Sequence, residues 1–447
     1  MAAQPSANTK LLMFGSRPTQ MAIQKTTKMR INPKHPIESY PIVFEINSCD
    51  GFIDWDKTLI AFYFNLTKKD GTAIDAAKRA TTINYVGNTF INRFKFYASN
   101  NLIFDSLDCY SYLSYLQAVL FEEKQVKDTL LVSALYYEDT PGKEATSNEN
   151  AGFKNRYAKT KSGKFKTIAP LHGDIFSSNQ YFPRMCDYRL ELFRNTDDFL
   201  LLSTDEDCTL QLTQAELLLH IVHALPSFTL AYEKTLAKTP AQYNIKRTEI
   251  KILHLAAGRT DLPNTCVHCG VIPRRVVLMM IPSVDFYGRK STSPFNFKAH
   301  TLQRYQLRAN EKLFPSEPID TDFENGNASE AYRELFDSVA GNTHICSITY
   351  EQFLNGYSFF ITDLSPDSSG SAGRLEKNTG FLSFTFFNFS SCAAHRTGQS
   401  FCRTSLQNTD PCRHTRTEAS VLPRMGRCVV LQPESSFYSW KSCPLIL

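Results

Sequence analysis

The residues best placed by type and spacing to do chemistry are His172 and Asp174, separated by Gly173. A His-x-Asp pair joined by a distant histidine is the facial triad that holds non-haem Fe(II), and jelly-roll folds host it. His220, His223 or His254 would supply the third ligand. The plainer reading is that Asp174 caps a short turn into Ile175 and Phe176. Cys266-Val267-His268-Cys269 is half of a zinc-ribbon pattern. A structural zinc needs a second pair at comparable spacing; the next cysteine, Cys346, stands alone, so these read as two loop thiols before a strand. His220 and His223 lie in an alternating apolar run. An offset of three puts their rings on opposite strand faces and argues against shared ligation. There is no Gly-x-Ser-x-Gly elbow, P-loop or dinucleotide-binding glycine pattern. Arg274-Arg275 enters a strand and reads as a sheet-rim doublet, with an acidic partner as the other reading.

The elements that must position these residues read as strands. The chain of 447 residues has 33 Phe and 20 Tyr against 2 Trp, a bias that suits pleated, half-buried surfaces. Alternation marks Tyr40–Ile46, Lys57–Leu66, Asn88–Tyr97, Leu102–Phe104, Tyr188–Phe193 and Thr209–Val222. In the second half it marks Tyr243–Leu255, Arg275–Ile281, Phe295–Leu307, Tyr357–Leu364 and Gly380–Phe387. Helical spacing appears at Tyr112–Leu120, Leu225–Ala237 and Ala328–Val339. Residues 139–168 read as a long polar loop and Ser365–Gly373 as a Ser/Gly loop. Many short strands with long loops favour sandwiches over a parallel sheet, and two jelly rolls in tandem fit the length.

Charge is uneven. Residues 1–40 carry a net +5 and residues 388–447 a net +4, which leaves −4 on the body between them. A slightly acidic body is a poor nucleic-acid binder, because that affinity comes from phosphate neutralisation. The basic first residues read as a solvated arm, the other reading being a contact to an acidic partner. No apolar run approaches the ~18 residues of a membrane span. The start of the chain shows no signal-peptide core, so an intracellular, reducing compartment is expected. Five of twelve cysteines (Cys392, Cys402, Cys412, Cys428, Cys443) fall in the last sixty residues, which show little alternation outside Cys428–Leu431.

Several phrases resemble capsid-type proteins of Polinton (Maverick) elements and adintovirus-like sequences. They are Asn150–Arg156, Leu171–Phe176, Tyr243–Lys251, Ile272–Val277, Pro294–Lys298, Pro315–Phe323, and Gly356-Tyr357 running to Asp363-Leu364. Each is short, but they occur in the family's order from about residue 14 to 387. The resemblance implies an all-β double jelly-roll major capsid protein whose chains form homotrimeric, pseudo-hexagonal capsomers. It implies no enzymatic activity, no cofactor and no metal, and gives His172 and Asp174 packing and turn roles. The expected partners are further copies of the chain and a minor capsid protein, with no membrane and no specific nucleic acid; the expected location is a virion. The expected organisation is an extended arm (1–36), a first jelly roll (37–224), a helical connector (225–241), a second, incomplete jelly roll (242–390) and an aberrant Cys/Arg/Ser-rich tail (391–447). A frame change or aberrant exon boundary near Phe387 would produce such a tail, leaving it largely disordered and the second sandwich short of a strand, the alternative being that Cys428–Leu431 substitutes as a makeshift strand.

Overall fold

The computed structural model describes residues 22–440, apart from 48–49, 76–78, 144–148, 179, 184–185, 205–206, 240, 246, 256–261, 301, 341–345, 365–378, 390–424 and 433–435. The first half contains strands β1 (Ile23–Ile31), β2 (Ile42–Ile46), β3 (Phe52–Lys68), β4 (Ala80–Thr82), β5 (Ile91–Ala98), β6 (Asn101–Asp105), β7 (Lys164–Pro170), β8 (Tyr188–Arg194), β9 (Leu201–Ser203) and β10 (Cys208–Ala224). The second contains β11 (Ala241–Ile245), β12 (Glu249–Leu255), β13 (Leu262–Val271), β14 (Arg275–Pro282), β15 (Leu302–Ala309), β16 (Lys312–Asp320), β17 (Phe360–Asp363), β18 (Thr379–Phe389), β19 (Met425–Gln432) and β20 (Ser436–Trp440).

Two four-stranded antiparallel sheets, β1-β10-β3-β7 and β2-β8-β5-β6, face each other in the first half. With the small β4–β9 pair set aside, the strands run first-eighth-third-sixth in one sheet and second-seventh-fourth-fifth in the other. The second half repeats this order: β12-β19-β14-β17 opposes β13-β18-β15-β16. Eight strands wound in this double Greek key are a jelly roll, and the chain has two. Alternation explains why each strand forms where it does. In β8 Tyr188, Leu190 and Leu192 are buried while Arg189 and Glu191 are not. Between the sheets Trp55 of β3 meets Phe96 of β5 and Tyr188 of β8 edge-on, at ring separations of 5.0 and 5.4 Å.

The helix Pro226–Leu236, opened by a proline in its first turn, falls inside the expected connector. Other expectations need correction. Residues 23–31 of the expected arm form β1, paired to β10; a strand exposed along its length carries no apolar alternation to read. The expected loop 139–168 holds the helix Ala151–Thr160, capped by the Asn150 side chain, and most of β7. Tyr243–Leu255 divides into β11 and β12, and the strand expected from Phe295 begins at Leu302. Cys266 to Cys269 lie within β13, not in a loop. The basic doublet enters a strand as expected: Arg274 lies in the bend before β14, and Arg275, buried, is its first residue, with β14 between β19 and β17.

The last correction concerns the tail. The second sheet is not short of a strand: β19 pairs with β12 on one side and β14 on the other, with Val430 opposite both Ile250 and Val277. It is the eighth strand of the second jelly roll, in the place β10 holds in the first. β20 pairs with β11. The short apolar core of β19, embedded in a polar stretch, gave too weak an alternation to extend past Cys428–Leu431.

Candidate functional site

The segment Leu171–Phe176 leaves β7 and folds inward, with Leu171, Ile175 and Phe176 buried. His172 is 6% exposed. Its Nε2 lies 2.7 Å from the Tyr85 hydroxyl, and its backbone N–H donates to the Tyr110 hydroxyl at 3.0 Å. Burial lowers the imidazole pKa to about 4. Gly173 has φ +150°, and a Cβ there would stand 3.2 Å from the Phe104 ring. Asp174 turns away from these tyrosines. Its Oδ1 accepts the Thr248 N–H at 2.9 Å, and its Oδ2 lies 3.7 Å from Arg247 Nε. Burial raises its carboxyl to about 7, against the pull of the Thr248 hydrogen bond and Arg247. A cleft of about 440 Å³ opens beside it, between β6 and the start of β12.

The expected third ligands are engaged elsewhere. His220 Nδ1 faces Asp54 Oδ2 at 3.6 Å, and His223 Nε2 meets the Thr27 hydroxyl at 2.9 Å. The side chain of His254 lies outside the described residues. His268 Nδ1 is 3.1 Å from Lys251 Nζ. Among the described residues no group of three or more His, Cys, Asp or Glu is placed to share a metal ion. What His172 and Asp174 do is tie segments together: His172 joins the two tyrosines, and Asp174 holds the first residues of the second sandwich.

A second convergence of side chains is the seam between sandwiches. The helix Tyr110–Phe121, buried on nearly every face, carries it. Tyr115 stacks on Phe295 at 4.0 Å and 8°, and Tyr112 on Phe286 at 5.0 Å and 5°. The Tyr112 hydroxyl donates to the Phe286 carbonyl at 3.0 Å. Lys290 reaches back across the seam, donating to the Cys208 carbonyl at 2.9 Å. Gly288 has φ +97° and sits where a Cβ would be 2.4 Å from Phe199 Cα, so only glycine fits. Phe297 exchanges backbone hydrogen bonds with the Gly356–Ser358 stretch at 2.8 and 2.9 Å. Sequence reading missed the seam as a unit, although Pro294–Lys298 and Gly356-Tyr357 were both singled out.

A third cluster locks the helix Ala151–Thr160. Arg156 and Asp139 pair at 2.8 Å with side chains 0% and 2% exposed. The guanidinium also donates to the Thr82 and Tyr137 carbonyls, each at 3.1 Å. Gly152 leaves room for the pair: a Cβ there would be 2.4 Å from Asp139 Oδ1.

No family model matches the chain. It is 23% identical over 365 residues to an uncharacterized protein of Caenorhabditis elegans, covering 78% of this chain and 86% of that one. Among solved structures, a chain of the Sputnik virophage superposes with a TM-score of 0.64 at 10% identity, covering 99% of this chain and 94% of that one. The Faustovirus major capsid protein gives 0.54 at 9% identity, over 96% and 93%. The mavirus major capsid protein gives 0.50 at 9% identity, over 100% and 98%. With the same strand order in both halves and a packed aromatic seam between them, this chain has the double jelly-roll fold found in viral major capsid proteins.

Proposed function

We propose that this chain is a structural, capsid-type protein of the Polinton (Maverick) kind, which assembles as homotrimers and then into a shell. The observation that carries the reading is the doubled jelly roll joined by a rigid seam. Two like sandwiches fixed side by side let three chains make a six-fold-like ring. A closed ring of heterologous contacts then needs only two complementary faces on each chain. Further copies of the chain are its main partners, a minor capsid protein a second one, and the virion its location. No catalytic residue and no cofactor belong to this reading. The division of the chain into a first sandwich that begins with β1 at Ile23 and runs to residue 224, a connector to 241 and a second sandwich goes with it. The second sandwich extends past residue 390 to include β19.

The metalloenzyme reading draws no support from the geometry, because His172, Asp174 and His220 bond to different neighbours. Purified full-length protein decides between the two. Light scattering should give the mass of three chains, and electron microscopy should show pseudo-hexagonal particles. A monomer at every concentration, with one equivalent of iron or zinc lost on His172→Ala, would replace this reading by the enzymatic one.

A further inference from the structure

The repeated strand order gives each sandwich the same two surfaces for meeting another. One is the connection between the fifth and sixth strands, which bears helices; the other is the connection between the third and fourth. Within the chain, the helical connection of the first sandwich (106–163) packs on the loop 283–301 of the second, through the Tyr115–Phe295 and Tyr112–Phe286 stacks. The helical connection of the second sandwich (321–359) touches the first sandwich only in part: Lys127 Nζ donates to Ser347 Oγ at 3.0 Å and the Gly142 N–H to the Asn355 carbonyl at 2.9 Å. That leaves its exposed stretch around Glu324 and Glu330, and the loop 69–90 of the first.

The first of these is acidic, and the second borders a groove whose other bank, the end of the 106–163 connection and the start of β7, is basic. Residues 321–354 hold six Asp/Glu and one Arg. Among them Glu324, Glu330 and Asp337 are exposed, the last paired along its helix with Arg333. On the first sandwich a groove of about 350 Å³ runs between Gly71, Ala73, Ile74 and Asp75 on one side and the end of the helix Ala151–Thr160 on the other. Residues 150–166 along its bank hold six Lys/Arg and no acid. Arg156 is consumed by Asp139, but Lys159, Lys161 and Lys164 are exposed. The acids on the opposite bank are Asp70 and Asp75.

We infer that this groove receives the acidic helical connection of a second copy of the chain, with Glu324 and Glu330 of one copy meeting Lys161 and Lys164 of the next. The contact is heterologous, and repeated between three copies it can close into a ring. The inference rests on the trimer reading above and assigns its interface. Opposite charges across such a seam steer association and fix register.

The test uses full-length protein and charge reversal at exposed positions. Lys161→Glu/Lys164→Glu and Glu324→Lys/Glu330→Lys should each raise the trimer dissociation constant at least tenfold, read by light scattering over a dilution series. Circular dichroism should show each variant folded. Combining the two reversals in one chain should restore most of the affinity. Reversals that leave a wild-type trimer unchanged would place the interface elsewhere and overturn the inference while the trimer stands. A wild-type chain that never trimerises would defeat the trimer reading itself. Loss of polyanion binding in the Lys161→Glu/Lys164→Glu chain, with trimerisation intact, would make the groove a nucleic-acid surface instead.

Discussion

Asp174, on the loop after β7, accepts the backbone N–H of Thr248 at 2.9 Å, one residue before β12 begins. One buried carboxyl thus holds the entry to the second sandwich against the first. The contact makes stability pH-dependent. Burial raises Asp174 from 3.8 to about 7, so the folded chain keeps a proton that the unfolded chain releases. Stability from this group is present below pH 4 and falls by up to about 1.4 kcal/mol per pH unit as pH rises towards 7. His172 acts in the opposite sense. Held neutral down to about 4 from 6.5, it costs stability as pH falls through that window. The two slopes oppose each other between about pH 4 and 6.5. Asp174→Asn keeps an acceptor and removes the titration, so its thermal midpoint should rise with pH over that window and exceed wild type at pH 8. Superimposable profiles for the two proteins would show that Asp174 is not the titrating group.

Arg156 and Asp139 form an ion pair out of contact with water. Removing one partner strands the other's charge, which costs about 3–5 kcal/mol. Arg156→Ala should therefore lower the chemical denaturation midpoint sharply. Arg156→Met combined with Asp139→Leu should recover much of the loss. Equal losses in the single and double variants would mean that packing, not charge, is the main contribution.

Gly152 stands where a Cβ would lie 2.4 Å from Asp139 Oδ1 and 2.8 Å from the Glu138 carbonyl. Overpacking of this kind costs about 1–3 kcal/mol. Gly152→Ala should destabilise the chain although alanine is the better helix former. A stabilised variant in a thermal melt would contradict the close approach.

Tyr115 and Phe295 share the tightest aromatic contact of the seam, at 4.0 Å. Phe295→Ala should cost about 3–5 kcal/mol, as other large-to-small core changes do. The loss should fall on the coupling between sandwiches. Calorimetry should show one transition splitting into two, and proteolysis should quicken near residues 225–245. A single transition, uniformly shifted, would mean that the two sandwiches unfold together regardless of this contact.

β19 lies between β12 and β14, so the residues after 424 complete a sheet. A chain ending at residue 390 would lose the pairing partner of both strands and leave two open edges. Domains are stable by only about 5–15 kcal/mol, and a missing inner strand takes away a large part of that. The truncated protein should keep a folded first sandwich and lose the second, seen as a protease-resistant fragment ending near residue 240. Full resistance through residue 389 would show that β19 is dispensable.

Much of the fold was legible because a half-buried strand writes its geometry into its sequence. Side chains alternate, so Tyr188-Arg189-Leu190-Glu191-Leu192 announces both a strand and its buried face. β1 escaped because it is exposed along its length and shows no such contrast, although ladder hydrogen bonds to β10 still form. β16 escaped because Pro315 and Pro318 interrupt it, and of β19 only the short apolar core Cys428–Leu431 was legible. Pattern stops at the single strand. Which strand lies beside which depends on contacts between residues far apart in sequence. Only the folded chain puts β19 next to β14, or Phe295 on Tyr115. The same holds for the candidate site. Sequence could place His172 and Asp174 two residues apart and offer chemistry for them. Their roles were decided by tertiary structure, because Gly173 lets the chain turn so that one side chain meets Tyr85 and the other meets Thr248.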